Sequence, residues 1–348
     1  MSNLLHSDVV HLKDVQQPLK IFTVWERNRH RSLHWLVECF AEFLGVFFYV
    51  YAGVGSQVVF VLGNILKLDG LSSVFQIGAA YASGIILAIV ICGGTSGGHF
   101  NPCVTIAFMS FKGFPPLKGL RYILAQIIGA YIACLLIYAQ YSDLIHLAEE
   151  GLEKAGVLDT IMFTPNGPAG AFGLYVLPGT NLVKAFLNEF ITDIMLALVI
   201  FGCLDPTNPF TTPSFATVVV ALAYAVAIWG YSVPGLAANS ARDIGGRLAA
   251  LTIWGPKAAG GNWAAITALT NILSTMVAFI IHELFLADYA RGKWSSIPRV
   301  QREFIMLHAN HAHNTDGQTR TGMSTSSDTD SQRDKEKTGL REIHNLSV

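Results

Sequence analysis

Gly97-Gly98-His99-Phe100-Asn101-Pro102-Cys103 and Pro234-Gly235-Leu236-Ala237-Ala238-Asn239-Ser240-Ala241-Arg242-Asp243 are the two stretches whose reading decides the fold. In each, an asparagine opens a short helix-like run inside apolar, glycine-rich sequence. Asn is a strong N-cap, and Pro102 suits a first helical position because the N–H it lacks would be unpaired there. The runs themselves, 101–111 and 239–250, are too short to cross a bilayer, which takes roughly 20 mostly apolar residues. Both sit among six stretches that do qualify: 33–62, 75–93, 117–140, 183–204, 214–232 and 261–286. Non-helical backbone survives at membrane depth only where protein or water satisfies it, so two such breaks predict a lined pore.

The layout is two spans, a half-helix and one span, and then the same again. Ala41-Glu42-Phe43-Leu44-Gly45 in the first span matches Asn188-Glu189-Phe190-Ile191-Thr192 in the fourth. Three spans per half place the halves in opposite orientations, an inverted repeat about an axis in the membrane plane. The expected fold is an all-α membrane protein with six transmembrane helices and two re-entrant half-helices. Its channel domain covers 33–286, with repeat one at 33–140, repeat two at 183–286 and an extracellular loop at 141–182. Within that loop Asp143–Lys154 reads as a short helix. Residues 1–32 are expected as a cytosolic N-terminal segment and 287–348 as a cytosolic, disordered tail.

Composition agrees. Of 348 residues, 52% are hydrophobic and 14% charged, with mean hydropathy +0.44, where a soluble protein carries about 25% charged residues. A net charge of −1 leaves no footprint for nucleic acid. The first apolar block follows Arg27, Arg29 and Arg31 and is too long for a cleaved signal core, so it reads as a retained span. With six spans those arginines share a side with Lys112, Lys118 and Arg121, and with Arg291, Lys293, Arg299 and Arg302. Asp143, Glu149, Glu150 and Glu153 fall opposite. This predicts cytosolic termini in an integral membrane protein, with the plasma membrane as the expected location. The five cysteines, Cys39, Cys92, Cys103, Cys134 and Cys203, have neither metal spacing nor the look of a disulfide framework. In the tail, Ser326–Asp330, the histidines His308, His311 and His313, and the sequon at Asn345 all read as solvated chain.

The chemistry rests on the two motifs. Two half-helix N-termini meeting at mid-membrane each bring about half a positive charge and unpaired N–H donors. Asn101 and Asn239, capping through their side-chain oxygens, would turn their amide NH2 groups toward a neutral, oxygen-bearing solute, while a cation meets a positive potential. Arg242 inside a membrane is expensive and should line a wet path. Asp243 and Arg247, spaced i,i+4, read as a structural pair. Glu42 and Glu189 are read as the remaining membrane acids, each accepting backbone N–H groups of its half's re-entrant loop; the rival reading is a proton relay. His99 and Gln126 are expected to hold the loop as well. No catalytic set, phosphate loop or metal spacing is present, so neither an enzyme nor a cofactor is indicated.

These residues resemble the major intrinsic protein family, on the aquaglyceroporin side of the aquaporins. Ser96-Gly97-Gly98-His99-Phe100-Asn101-Pro102-Cys103 is similar to the first Asn-Pro-Ala signature of that family, and Asn239-Ser240-Ala241-Arg242-Asp243 to the second. Cys103 stands where the family pattern has Ala, and Ser240 where it has Pro. The resemblance implies a selectivity filter of Tyr81, Ala227, Leu236 and Arg242, wider than in water-only members because Ala227 replaces a larger residue. It further implies a homotetramer with one pore per subunit. Gly84, Ala88, Ala221 and Ala225 are small enough to permit close helix packing. The expected function is a passive channel for glycerol, related small neutral solutes and water, excluding ions and protons. A water-selective channel, a non-conducting or gated membrane structural protein and an ion-coupled secondary transporter are the alternatives.

Overall fold

In the computed structural model the described residues are 15–287 except 17, 72, 206, 207 and 209. Arg291, Lys293, Arg299, Arg302, the tail histidines, Ser326–Asp330 and Asn345 lie outside them. Among the described residues the chain is all-helical, and six helices are long and apolar enough to cross a membrane. The first span is His34–Leu66 and the second Val74–Ser96, the latter carrying a π-helical turn at Ile89–Gly93. The first half-helix, Pro102–Phe111, precedes the third span, Pro116–Lys154. The fourth and fifth spans are Leu182–Leu204 and Pro213–Tyr231. The second half-helix, Ser240–Trp254, leads to the sixth span, Gly261–Ile281.

Local chemistry sets these ends. Ser73 Oγ accepts from the Gln76 N–H at 3.1 Å, and Asn181 Oδ1 from Val183 and Lys184. Thr212 caps the fifth span ahead of a proline at its first position. Ahead of the spans, Lys20–Asn28 forms a short helix that leaves Ile21, Phe22, Val24 and Trp25 exposed.

Helix pairing follows the repeat. The first span packs on the second and third as the fourth packs on the fifth and sixth. The first half-helix leans on the sixth span, and the second on the third. The second and fifth spans join the halves. Small residues permit the closest approaches: a Cβ on Gly84 would lie 2.7 Å from Tyr49 Cα, and one on Gly129 would strike the Phe43 carbonyl. Ala88, Ala221 and Ala225 are likewise buried within the chain. All four small residues singled out from sequence are thus used inside one subunit.

The structure redraws the 141–182 connection. The third span runs unbroken for 39 residues, about 58 Å at 1.5 Å per residue, against a hydrocarbon core of about 30 Å. Asp143–Lys154 therefore continues that helix and is not a separate one. Its polar face masks a buried stripe of Ile145, Ala148 and Leu152, and Trp254 Nε1 donates to Glu149 Oε1 at 2.7 Å. The loop proper, 155–181, folds back inward, burying Pro168 through Phe172. The second half-helix likewise continues four residues past 250, to Gly255, whose φ of 73° ends it.

Candidate functional site

Each re-entrant loop hangs on one buried glutamate. Glu42 Oε1 accepts from the Ser96 hydroxyl at 2.6 Å and the His99 N–H at 3.0 Å; Oε2 accepts from the Phe100 N–H and from Gln126 Nε2, both at 2.7 Å. Glu189 repeats the pattern, with Oε2 accepting from the Ala237 N–H at 2.7 Å and Oε1 from the Ala238 N–H at 3.0 Å. Both carboxyls are fully buried. In each half the bound N–H groups belong to the two residues before the asparagine. The second of these is left-handed, φ 46° at Phe100 and 57° at Ala238, a conformation non-glycine residues adopt only when surroundings enforce it. The Phe100 ring lies against Gly45, where a Cβ would collide with it.

The amide partners match too. Gln126 Nε2 also reaches Thr105 Oγ1 at 3.1 Å, a hydroxyl that lies 3.2 Å from His99 Nδ1. His99 packs between the rings of Phe108, Phe114 and Tyr122. On the other side Asn271 Nδ2 bonds Glu189 Oε1 and, at 2.7 Å, Asp193 Oδ2. Asn271 is thus the second half's counterpart of Gln126. Asp193 corrects the reading of Glu42 and Glu189 as the remaining membrane acids: it lies one turn beyond Glu189, is 3% exposed, and its Oδ1 meets no partner.

The half-helix tips meet and are cross-braced. Asn101 Oδ1 accepts from the Cys103 N–H at 3.0 Å, and Asn239 Oδ1 from the Ala241 and Arg242 N–H groups at 2.9 and 3.3 Å. Pro102 and Ala241 are buried in the respective first turns. Asn239 Nδ2 donates to the Phe100 carbonyl at 2.9 Å, and Asn101 Nδ2 to the Ala238 carbonyl at 3.3 Å. One amide N–H of each asparagine is therefore spent across the tip, where the sequence reading turned the whole NH2 toward solute. The two departures from the signature also touch: Cys103 Sγ lies 3.2 Å from Ser240 Oγ. Ser240 Oγ further reaches the Ala268 carbonyl at 2.9 Å and Asn271 Oδ1 at 3.2 Å.

Arg242 is 3% exposed and closely held. Its Nε donates to the Tyr81 hydroxyl at 3.0 Å, Nη1 to the Phe172 carbonyl at 2.6 Å, and Nη2 to Gln57 Oε1 at 2.7 Å and the Ala171 carbonyl at 3.3 Å. The inward fold of the 155–181 loop supplies those two carbonyls. Of the candidate filter residues, Tyr81 and Arg242 are thus in contact. Ala227 and Leu236 belong to an apolar cluster with Leu196, Ala223 and Ala238. Asp243 and Arg247 pair at 2.6 Å, and Thr267 donates to the second Asp243 oxygen at 2.8 Å. In the 155–181 loop, burial pushes the Tyr175 phenol up to about 12, and its hydroxyl donates to the Ala258 carbonyl at 2.9 Å.

Sequence reasoning missed Gln57, Asp193 and the Ala171 and Phe172 carbonyls. Gln57 is a long amide in an apolar run and Asp193 sits four residues after Glu189, signals that could have been used. The carbonyls leave no trace in side-chain pattern.

Six apolar helices with two half-helices cross-braced at their tips beside a buried arginine are the architecture of a membrane channel. The chain belongs to the major intrinsic protein family, whose family model matches residues 29–280. It is 57% identical over 305 residues to an aquaporin of Laccaria bicolor, covering 87% of this chain and 91% of that one. Aquaglyceroporin-2 of Rhizophagus irregularis is 34% identical over 212 residues, 61% of this chain and 64% of that protein. Among solved structures, the X-ray structure of the aquaglyceroporin from Plasmodium falciparum shares the fold, with TM-score 0.59 and 23% identity over 72% of this chain and 96% of that one.

Proposed function

We propose that this channel passes glycerol, related small neutral solutes and water down their gradients and excludes ions and protons. The observation that carries the reading is the two-sided character of the candidate constriction. Arg242, Tyr81 and Gln57 form a hydrogen-bonded polar group, while Ala227 and Leu236 belong to an apolar cluster. A polyol has the same two-sidedness, with hydroxyls on one edge and C–H groups on the other. Exclusion of cations follows from the buried guanidinium and from two half-helix N-termini meeting at one place. Glu42 and Glu189 are occupied by backbone N–H groups, which supports scaffolding over proton coupling. Names of relatives on the aquaglyceroporin side point the same way.

We place both termini on the cytosolic side, on the strength of the basic residues at one set of helix ends, and propose a homotetramer in the plasma membrane on the family resemblance. Stopped-flow light scattering on proteoliposomes, under water and glycerol gradients, tests the reading with wild type and Arg242→Ala. Fast glycerol entry without proton leak is expected of the wild type, and a proton or cation leak of the variant. Fast water without glycerol overturns the glycerol assignment. No flux of either solute leaves a non-conducting membrane protein.

A further inference from the structure

Gln57 lies on the first span, part-exposed, at the one place where Tyr81 and Arg242 converge. Its Oε1 accepts from the Tyr81 hydroxyl at 2.8 Å and from Arg242 Nη2 at 2.7 Å, and the Tyr81 oxygen in turn accepts from Arg242 Nε at 3.0 Å. The three side chains close a ring of hydrogen bonds. The amide can sit only one way round in that ring. A guanidinium has donors and no acceptor, so turning the Gln57 NH2 toward it would set donor against donor. One turn earlier on the same face, Gly53 leaves room for the Tyr81 ring, and a Cβ there would collide with it. The first span therefore supplies both a seat for Tyr81 and a clasp for its hydroxyl.

We infer that Gln57 is a specificity-determining residue of the constriction, gripping Tyr81 and Arg242 through its amide oxygen and offering its NH2 to a solute bearing two neighbouring hydroxyls. A guanidinium has five N–H groups, and four of those on Arg242 are committed to Tyr81, Phe172, Gln57 and Ala171. One N–H, on Nη1, remains. The Gln57 NH2 has no protein acceptor among the described residues. Arg242 and Gln57 together thus present donors from two side chains, and a vicinal diol can meet each with an oxygen of its own, where a water molecule brings one oxygen to both. Without Gln57, Nη2 keeps only the longer contact to Ala171, and the Tyr81 hydroxyl loses its acceptor. The inference rests on the glycerol reading above, and its test separates the two.

Glycerol and water permeabilities are measured on proteoliposomes of wild type, Gln57→Met and Gln57→Glu. Gln57→Met, similar in volume, is expected to lower the glycerol-to-water ratio about five-fold, the equivalent of one net hydrogen bond of about 1 kcal/mol. Gln57→Glu keeps the acceptor oxygen and removes the NH2, so it should melt like wild type and still lose glycerol. An unchanged ratio in either variant overturns the inference. The grip is read independently of conduction by a thermal-unfolding cycle of Gln57→Met and Tyr81→Phe in detergent. Non-additive losses are expected, and strict additivity overturns the clasp. A wild type that passes water alone sinks the glycerol reading, and the unfolding cycle then decides the role of Gln57 by itself.

Discussion

At Cys103 and Ser240, two departures from a family signature answer each other. A proline at the first position of a helix brings no hydroxyl; a serine there brings one that needs partners. The Cys103 sulfur meets that hydroxyl, which would otherwise lean only on Ala268 and Asn271. Ser240→Pro should leave the thiol without its partner, and Cys103→Ala should leave the serine hydroxyl without the sulfur. Each alone is expected to lower stability by about 1 kcal/mol, as for one buried donor or acceptor left unmet. The double variant should lose less than the sum, because it removes both sides of the contact. Melting temperatures of the four proteins in detergent check this, and simple additivity would mean the contact does nothing. The motif asparagines and Arg242 stand out in sequence because a membrane makes polar residues conspicuous. The mutual contact of Cys103 and Ser240, 137 positions apart, has no such local mark, and neither does the closure of Gln57 onto residues of two other helices.

Elements in this chain are held where ordinary helix rules stop working. A re-entrant loop carries backbone donors at a depth without water, and Glu42 satisfies four donors at once. Glu42→Gln retains one oxygen and puts an NH2 where the other stood. Two of the four donors then lose their acceptor, a cost of about 2–6 kcal/mol at 1–3 kcal/mol each. The expected outcome is loss of folded protein in detergent by size-exclusion chromatography, and a monodisperse protein of normal thermal stability would refute the suspension of the loop from Glu42. The matching change Glu189→Gln should do the same to the second loop. The placement of both glutamates could be read from the internal repeat, since each precedes its motif by two helical segments. The long third helix could not. Its polar run Asp143–Lys154 reads as a separate short helix until the buried stripe Ile145, Ala148 and Leu152 is seen, and Trp254 shows what the polar face of that helix is for.

For the molecule as a whole, the inverted repeat makes the site a product of both halves. Asn101 reaches Ala238, Asn239 reaches Phe100, and Arg242 of the second half is clasped by Gln57 and Tyr81 of the first. Span count and the two breaks were legible as a layout. The brace between them was not, because it depends on carbonyls and on left-handed backbone rather than on side-chain type. Among the described residues, the hydrogen bonds of the tips and of the constriction run from Glu42 to Asn271, and the family match closes at 280. Past the sixth span the turn His282–Leu286 still contributes, since Glu283 pairs with Lys112 at 2.8 Å beside the exit of the first half-helix. A chain cut after residue 288 keeps that pair and all of the site. It should conduct as the full chain does and melt within about 2 °C of it, the shift that about 1 kcal/mol produces in a domain of this size. A chain cut after 280 loses Glu283 and the last helical turn, and should melt lower. Should the cut at 288 instead raise or abolish flux at unchanged melting temperature, residues 289–348 would be acting on the pore and not merely following it.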